Sequence, residues 1–428
     1  MKKLNSRIKT FRKTDLFQTT IWNGLATFIK MGTGFISNKI VAVYLGPAGV
    51  ALLGQFNNFI SMVASFSTFG IGSGIVKYIS EYKSDEGARK SITSASFFII
   101  SLTSLVASLF VFFSRNYFAE IILHEKKYSS LFLVFSVSLA FFSLNILMYS
   151  LLNGYREFKK IIFYNIITAV LGLLISVLLV VYFNLFGALL GVIINQSLFF
   201  TLTVVFAYKS KWFSFNSFFS KFNKKDLSKL FNFSIMAFVS LFATIFIQFK
   251  IRSYIINNIS IEDAGYWQGI IKISDFYIGF ISSTLSIYFL PHLSAIKEEI
   301  ALRREVFKSF LFLIPLVIIS SIFIYIFRIF IINLLFTNKF FAMRTLFAFQ
   351  IIGNVFKIAT WIFTFLLCAK ALTKPFIIIE LFGGGLYYLL TVLFINKFGL
   401  PGATYSYSIT YFILWLLLYI FYKKYSFS

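Results

Sequence analysis

The sequence predicts an all-α integral membrane protein of about twelve transmembrane helices. Three observations support this fold class: 59% of the 428 residues are hydrophobic, only 13% are charged, and the mean hydropathy is +0.84. A water-soluble core cannot hold that much apolar surface. Each span needs roughly 20 apolar residues and a short connection, so the chain has no room for a sizeable soluble domain.

Apolar runs between clusters of charged residues predict the individual spans. The first apolar run continues without a small-residue cleavage site, which indicates an uncleaved first helix. The predicted spans are 18–45, 50–80, 91–113, 129–151, 161–182, 188–208, 230–256, 266–291, 309–332, 342–369, 375–395 and 401–420.

The distribution of Lys and Arg predicts the orientation of the chain. With the N-terminus inside, the cytoplasmic segments hold 26 of the 40 cations, whereas the opposite loops hold five. Cations near short loops are retained on the cytoplasmic side of a membrane. Both termini are therefore expected to be cytoplasmic.

A long connection and a weak internal repeat predict two halves. The connection 209–229 separates two sets of six helices. Ala48 to Gly54 resembles Ala264 to Gly269, and Phe186 to Ala188 resembles Phe398 to Leu400. Parallel repeats of this kind are typical of transporters, with the substrate pathway between the halves. The predicted organisation is 1–17 cytoplasmic, 18–208 first bundle, 209–229 linker, 230–420 second bundle and 421–428 cytoplasmic.

Composition excludes several classes of function. The net charge of +25 would suit nucleic-acid binding, but these cations punctuate apolar segments, so no nucleic-acid partner is expected. Cys368 is the single cysteine, which excludes an internal disulfide. His124 and His292 are too far apart in sequence to indicate a metal site. No metal or other cofactor is predicted.

Charged residues inside the predicted spans indicate a polar interior. A cation facing lipid at mid-bilayer costs roughly 2.5 to 3.5 kcal/mol, so several must face water or pair with another group. The acids at this depth are Asp275 and Glu380, so the interior is net positive. Such a cavity favours a multiply charged anion such as a diphosphate. The cations within spans are Lys30, Lys39, Lys77, Lys250, Arg252, Lys272, Arg328, Arg344 and Lys357.

Position along each helix separates the candidates. Lys30 and Lys357 are near the middle of their spans, where the side chain reaches the headgroups least easily, so both are expected to line the cavity. Lys39 is half a turn out of phase with Lys30, and a bend at Gly32 and Gly34 would be needed to bring both inward.

Other charged residues have structural explanations that stay open. Lys77, Arg328 and Arg344 lie near span ends and can reach the headgroups. Of Lys250 and Arg252, about 200° apart on a helix, only one is expected to face the cavity. Lys272 and Asp275 are one helical turn apart and could neutralise each other. A surface pair of Glu380 with Lys374 is as good an explanation as an ion site.

Several motifs resemble the Wzx-type flippases of the multidrug/oligosaccharidyl-lipid/polysaccharide exporter superfamily, most closely the O-antigen and lipid III flippases. The resemblance covers nearly the whole chain from about Trp22. The stretches that carry it are Phe28 to Lys39, Leu45 to Gly49, Gly265 to Gly269 with Ile273 to Asp275, Tyr288 to Pro291, Asn338 to Arg344, Gly353 to Lys357 and Ala369 to Ala371.

The resemblance implies a fold and a function. The fold would be two six-helix bundles forming a V. The function would be alternating-access transport of an undecaprenyl-diphosphate-linked oligosaccharide across the bacterial inner membrane, with membrane lipid around it. The polymerase and chain-length proteins of the same pathway would be partners. By the same resemblance, Lys30, Lys39, Arg252, Lys357 and Lys370 would bind substrate, and Asp275 and Glu380 would couple transport to protons or sodium.

Three alternatives remain at this point. The carried glycan could be an O-antigen unit or the common-antigen lipid III. The richness of the sequence in Phe, Ile, Lys and Asn indicates an AT-rich gene, of the kind found in surface-antigen clusters, and slightly favours the O-antigen unit. A glycan polymerase or ligase is disfavoured because the largest outer loop, 114–128, has only fifteen residues. A cationic-drug antiporter would need an acidic cavity.

Overall fold

The computed structural model describes residues 15–285, 289–296, 298–370 and 372–424, which are helical with short connections and no strands. Most of the predicted N-terminal segment 1–17 and the end of 421–428 lie outside the described residues. The helices are α1 Asp15–Thr68, α2 Gly72–Glu81, α3 Glu86–Phe113, α4 Arg115–Leu123, α5 Ser129–Gly154, α6 Phe158–Tyr208, α7 Lys224–Asn258, α8 Ile261–Thr284, α9 Leu290–Ala295, α10 Glu299–Ile326, α11 Arg328–Leu335, α12 Phe347–Ala369, α13 Thr373–Phe398 and α14 Pro401–Lys424.

Counting the spans confirms the predicted fold class. Within the described ranges, nine helical segments are long and apolar enough to cross a membrane. Two of them, in α1 and α6, are divided by residues with non-helical backbone angles, Gly46 and Asn184, and each therefore supplies two spans. Helix α8 has 24 residues and is long enough to cross, although its four charged residues make it less apolar. The chain is a multi-pass membrane protein.

Three breaks between helices share one backbone conformation. Gly46, Asn184 and Gly399 all have a positive φ, of 63°, 50° and 66°, with an extended ψ. Glycine adopts this region freely, and asparagine is the side-chain-bearing residue that tolerates positive φ best. Each of these residues separates two helical segments.

The same breaks correct the register of the predicted repeat. An added Cβ at Gly187 would overlap the Leu179 carbonyl, and one at Gly402 would overlap the Phe394 carbonyl, eight residues upstream in both halves. Gly187 therefore corresponds to Gly402. The alignment predicted from Phe186 to Ala188 was wrong by three residues because it matched Gly187 with Gly399.

The chain forms two compact units. Unit 1 contains the described residues up to Ile40 together with Ile60–Phe238, and unit 2 contains Val41–Phe59 together with the described residues from Val239. Segment 41–59 thus belongs with the second unit, whereas the predicted bundle 18–208 included it in the first. A buried cluster of unit 1 is built on α2, α3 and α5, and one of unit 2 on segment 41–59, α7, α8, α13 and α14.

The two segments of the predicted repeat pack against each other inside unit 2. Ala51 shares a buried cluster with Ala264 and Trp267. A Cβ at Gly265 would overlap the Pro47 backbone, so the two segments approach as closely as their main chains allow. This contact explains why segment 41–59 belongs to unit 2.

We expect Gly265→Ala to destabilise the protein, because the added methyl group collides with backbone that cannot rotate away. Overpacking of this kind costs about 1 to 3 kcal/mol. Gly279→Ala on the same helix is the matched control, since nothing lies within 4 Å of its added Cβ. The measurement is the fraction of monodisperse protein left after heating in detergent. Equal melting of the two variants would contradict the close approach.

Candidate functional site

Unit 2 contains a membrane-depth cavity of about 190 Å³ where three ionisable side chains meet. They are Asp275 of α8, Lys357 of α12 and Glu380 of α13, which are separated in sequence by 82 and 23 residues. Lys272 does not line this cavity. The structure therefore brings together both acids and one of the cations that the sequence predicted.

Aromatic rings surround the ammonium group of Lys357. Its Nζ lies 5.2 Å from the ring centroid of Trp361, 5.8 Å from that of Tyr407 and 5.5 Å from that of Tyr411. Cation–π contacts of this kind stabilise a desolvated ammonium by about 2 kcal/mol. Lys357 forms no direct ion pair with the described residues, so it acts on Asp275 and Glu380 through space.

Neutral oxygen atoms complete the cavity of unit 2. Asn354 fixes one wall: its amide donates to Ser274 Oγ at 3.0 Å and accepts from the Tyr407 hydroxyl at 2.8 Å. By contrast, Gln350 Oε1 and Thr410 Oγ1 are buried without a hydrogen-bond partner in the described part of the chain. Both residues line the cavity. These oxygens are available to water or to a cation.

The side chain of Glu380 lines the unit 2 cavity. The alternative explanation was a surface pair with Lys374, but the described residues show no ion pair of that glutamate, and Lys374 is exposed. Glu380 is half-buried and lines the same cavity as Lys357.

Unit 1 contains a second cavity, of about 470 Å³, with a different chemistry. Lys30 is its cation, and none of the described residues that line it is acidic. The other polar lining groups are amides and hydroxyls. The cavity is lined by Lys30, Asn145, Ile146, Tyr149, Tyr164, Asn165, Thr168, Ala169, Gln196 and Phe199.

Lys39 is not brought to this cavity by a bend. Helix α1 keeps helical backbone angles through Gly32 and Gly34, and its single non-helical residue is Gly46, next to Pro47. The bend considered at the two glycines was therefore wrong. Lys39 stays out of phase with Lys30 on a regular helix.

Arg252 is fully buried, with 0% of its surface exposed, and lies outside the two cavities. Its guanidinium donates to the side-chain oxygens of Gln55, at 3.4 Å, and Gln268, and it stacks over Trp267 at 5.4 Å. Lys250 is exposed and also lines neither cavity, so the expectation that one of the pair faces a cavity is not met. Arg252 thereby joins segment 41–59 to α7 and α8.

Lys370 is engaged with the backbone at the end of α12. Its Nζ donates to the Ile296 carbonyl oxygen at 2.7 Å. The structure therefore places the five predicted substrate-binding cations in different surroundings: one in each cavity, one buried among amides, one half-buried on α1 and one at a helix end.

The profile of the family described as polysaccharide biosynthesis protein matches residues 16–297. The chain belongs to this family. Two curated relatives, from Escherichia coli K12 and Shigella flexneri, are each called lipid III flippase and are 28% identical over 404 residues, covering 93% of this chain and 96% of their own length.

Solved structures show the fold of this family member. A multidrug resistance MATE family transporter of the MOP superfamily, in an inward-facing conformation, superposes with a TM-score of 0.76 at 12% identity over 93% of this chain and 97% of its own. A MOP superfamily transporter from Pyrococcus furiosus, described as having a binding pocket of reverse polarity, gives 0.70 at 12% identity, covering 95% of each chain. The predicted transporter fold is confirmed.

Sequence reasoning missed the amides of the unit 1 cavity. Asn145, Asn165 and Gln196 lie in spans 129–151, 161–182 and 188–208, but only ionisable residues were considered at membrane depth. Amides buried in an apolar environment also need partners. A search for Asn and Gln inside the spans would have found all three.

We expect Arg252→Leu to destabilise the protein, because it leaves the amides of Gln55 and Gln268 without their shared donor. Hydrogen bonds to a charged group are worth about 1.5 to 3 kcal/mol each. Lys250→Leu, at an exposed position on the same helix, is the control and should melt like the parent. Thermal denaturation in detergent checks both. An unaltered melting temperature for Arg252→Leu would show that the guanidinium does not hold segment 41–59 in place.

Proposed function

We propose that this protein is a flippase for a lipid-linked oligosaccharide. Its substrate would be an undecaprenyl-diphosphate-linked glycan, moved by alternating access from the cytoplasmic to the periplasmic leaflet of the bacterial inner membrane. The observation that carries this proposal is the 28% identity, along nearly the whole chain, to relatives called lipid III flippase. The family and the fold agree with it.

The cavity of unit 1 supports an anionic substrate. A lysine without an acidic partner in its cavity attracts a diphosphate and repels a cationic drug. We therefore propose Lys30 as the principal contact to the diphosphate. Lys39, Arg252, Lys357 and Lys370 stay in the proposal as further cations of the substrate pathway, with Arg252 contributing mainly through the position of segment 41–59.

The cavity of unit 2 supports ion coupling. Asp275 and Glu380 share it with Lys357 and with the oxygens of Gln350 and Thr410. We propose that a proton or a sodium ion binds at the two carboxyl groups and that its charge competes with that of the nearby ammonium. Binding of the ion would then change the balance of charge within α8, α12 and α13.

The positive-inside distribution of cations supports cytoplasmic termini. For the glycan, the named relatives favour lipid III, whereas the composition of the chain slightly favoured an O-antigen unit. Polymerase and chain-length proteins of the same pathway are the proposed protein partners, because they act on the flipped product.

We expect the protein to restore surface glycan in a strain that lacks its own flippases and makes either O-antigen or common antigen. Lys30→Ala and Lys357→Ala, at normal abundance, should lower the restored glycan at least tenfold, because each removes the one lysine among the described residues that line its cavity. Surface glycan and the lipid-linked intermediate at the cytoplasmic face are measured together.

Lys250→Ala is the control for these variants, since Lys250 is a lysine of α7 that lines neither cavity. It should export normally. Export that is unchanged in both cavity variants would contradict the residue assignment. Failure of the parent protein with every glycan, combined with altered chain length, would replace the flippase by a polymerase.

We expect Asp275→Asn and Glu380→Gln to uncouple transport from the ion gradient, because each amide keeps the shape of the carboxyl and loses its charge. In vesicles, stimulation of flipping by an imposed proton or sodium gradient should fall while the slow, gradient-independent rate persists. Glu262→Gln, near the start of α8, is the control. Full stimulation in both variants would exclude this cavity from coupling.

A further inference from the structure

The connection between α6 and α7 packs on unit 1. The Ser220 carbonyl oxygen accepts a hydrogen bond from Ser94 Oγ of α3 at 2.7 Å. The Trp212 ring stacks on Tyr155, with centroids 4.3 Å apart and planes inclined by 4°. Phe218 belongs to the buried cluster built on α2, α3 and α5. These contacts hold the connection against the ends of the unit 1 helices.

Segment 209–225 of this connection combines lysines with aromatic residues and contains no acidic residue. We call it the basic connection. All of its lysines are exposed, and none of them forms an ion pair with the described residues. A group of roughly four to eight cations next to a membrane span attracts an anionic lipid surface. The lysines are Lys209, Lys211, Lys221, Lys224 and Lys225.

Two phenylalanines of the basic connection face outward. Phe215 and Phe219 are 64% and 76% exposed, and they are four residues apart. Neighbouring aromatic side chains pack inward, since Phe218 is buried and the Phe222 ring lies 5.5 Å from that of Phe98. Exposed aromatic rings beside lysines are typical of elements that lie at the membrane–water interface.

The contacts with α3 give the depth of the basic connection. Helix α3 ends at Phe113, where the predicted outer loop begins. An apolar core of about 30 Å corresponds to roughly 20 residues of helix. Counting back from Phe113 gives Ser94, the residue that donates to the Ser220 carbonyl. Phe219 packs against Phe97, further into the core, with ring centroids 5.5 Å apart. The basic connection therefore lies at the edge of the apolar core.

We propose that the basic connection is a binding surface for anionic phospholipids of the inner leaflet. Phe215 and Phe219 insert between acyl chains at the edge of the core, and the lysines pair with headgroup phosphates. These lipids stay in the leaflet and are not transported. The inference therefore goes beyond the proposed function, and a failure of the flippase proposal would leave it standing.

Other occupants match only part of this surface. A zwitterionic phospholipid would accept the two phenylalanines but would leave the positive charge of the lysines uncompensated. An acidic protein would compensate that charge, but the phenylalanines lie at the edge of the apolar core, where lipid is the neighbour. An anionic phospholipid satisfies the charge and the apolar side chains together.

The first test maps lipid contacts of the full-length protein in nanodiscs with photoactivatable probes. Phosphatidylglycerol and phosphatidylcholine, each with the same photoreactive group near the headgroup, are compared at equal concentration, and labelled peptides are identified by mass spectrometry. The phosphatidylglycerol probe should label segment 209–225 about tenfold more than the phosphatidylcholine probe, because opposite charges meet at the interface. In the variant K209Q/K211Q/K221Q/K224Q/K225Q, the two probes should label it equally.

The control variant removes the same charge elsewhere on the predicted cytoplasmic side. R304Q/K308Q/K374Q/K423Q/K424Q replaces five exposed cations of unit 2 and should leave the labelling of segment 209–225 unchanged. Equal labelling by the two probes in the parent would overturn the proposal. A preference for phosphatidylglycerol that persists without the lysines of the basic connection would also overturn it.

The second test measures the depth of Phe215 and does not require removal of the lysines. A nitroxide is attached at Phe215→Cys after Cys368→Ala, since Cys368 is the single cysteine, and its collisions with oxygen and with a water-soluble nickel chelate are compared. Leu105→Cys, at an exposed apolar position of α3, and Lys83→Cys, at an exposed position after α2, calibrate the lipid and water limits. The label at Phe215 should resemble that at Leu105 more than that at Lys83. The opposite result would overturn the proposal and favour an acidic protein as the partner of the lysines.

Discussion

The polar groups of this protein are organised by one constraint, which is the lack of water at membrane depth. A lysine, carboxylate or amide in that region must find a protein partner or a polar cavity. The structure uses both solutions. Arg252 is surrounded by Gln55 and Gln268, whereas Lys30 and Lys357 face cavities. Which solution each residue takes decides whether it can act on a substrate.

The buried arginine shows why a charge in a span is not by itself a binding site. Its partners lie on segment 41–59 and on α8, where Gly265 also allows direct contact with the Pro47 backbone. Charge-assisted hydrogen bonds and close main-chain packing act at the same place. Together they attach a piece of the first long helix to unit 2, and a substitution there is expected to affect folding before it affects transport.

The sequence was sufficient for the fold class because hydropathy and the positions of cations depend on each residue and its neighbours along the chain. It did not predict that segment 41–59 joins unit 2, since that depends on the fit of Gly265 to Pro47. The repeat was recognised, but its register was wrong by three residues. Asn184 carries the positive φ that Gly399 carries in the second half, and two different residue types hid that equivalence.

The surroundings of the two candidate sites likewise depend on contacts between residues distant in sequence. Lys30 and Lys357 were equivalent in sequence, since both are lysines near the middle of a span, and nothing local distinguished them. Their surroundings come from helices distant in sequence: neutral amides from α5 and α6 around Lys30, and two carboxyls and three aromatic rings around Lys357. A cation among neutral donors and acceptors keeps its full attraction for an anion. A cation beside two carboxyls is largely compensated and responds instead to the protonation or occupancy of those carboxyls. The proposed anion binding and the proposed ion coupling therefore need not compete for one lysine, because each unit has a lysine in the environment that suits one of the two proposed tasks.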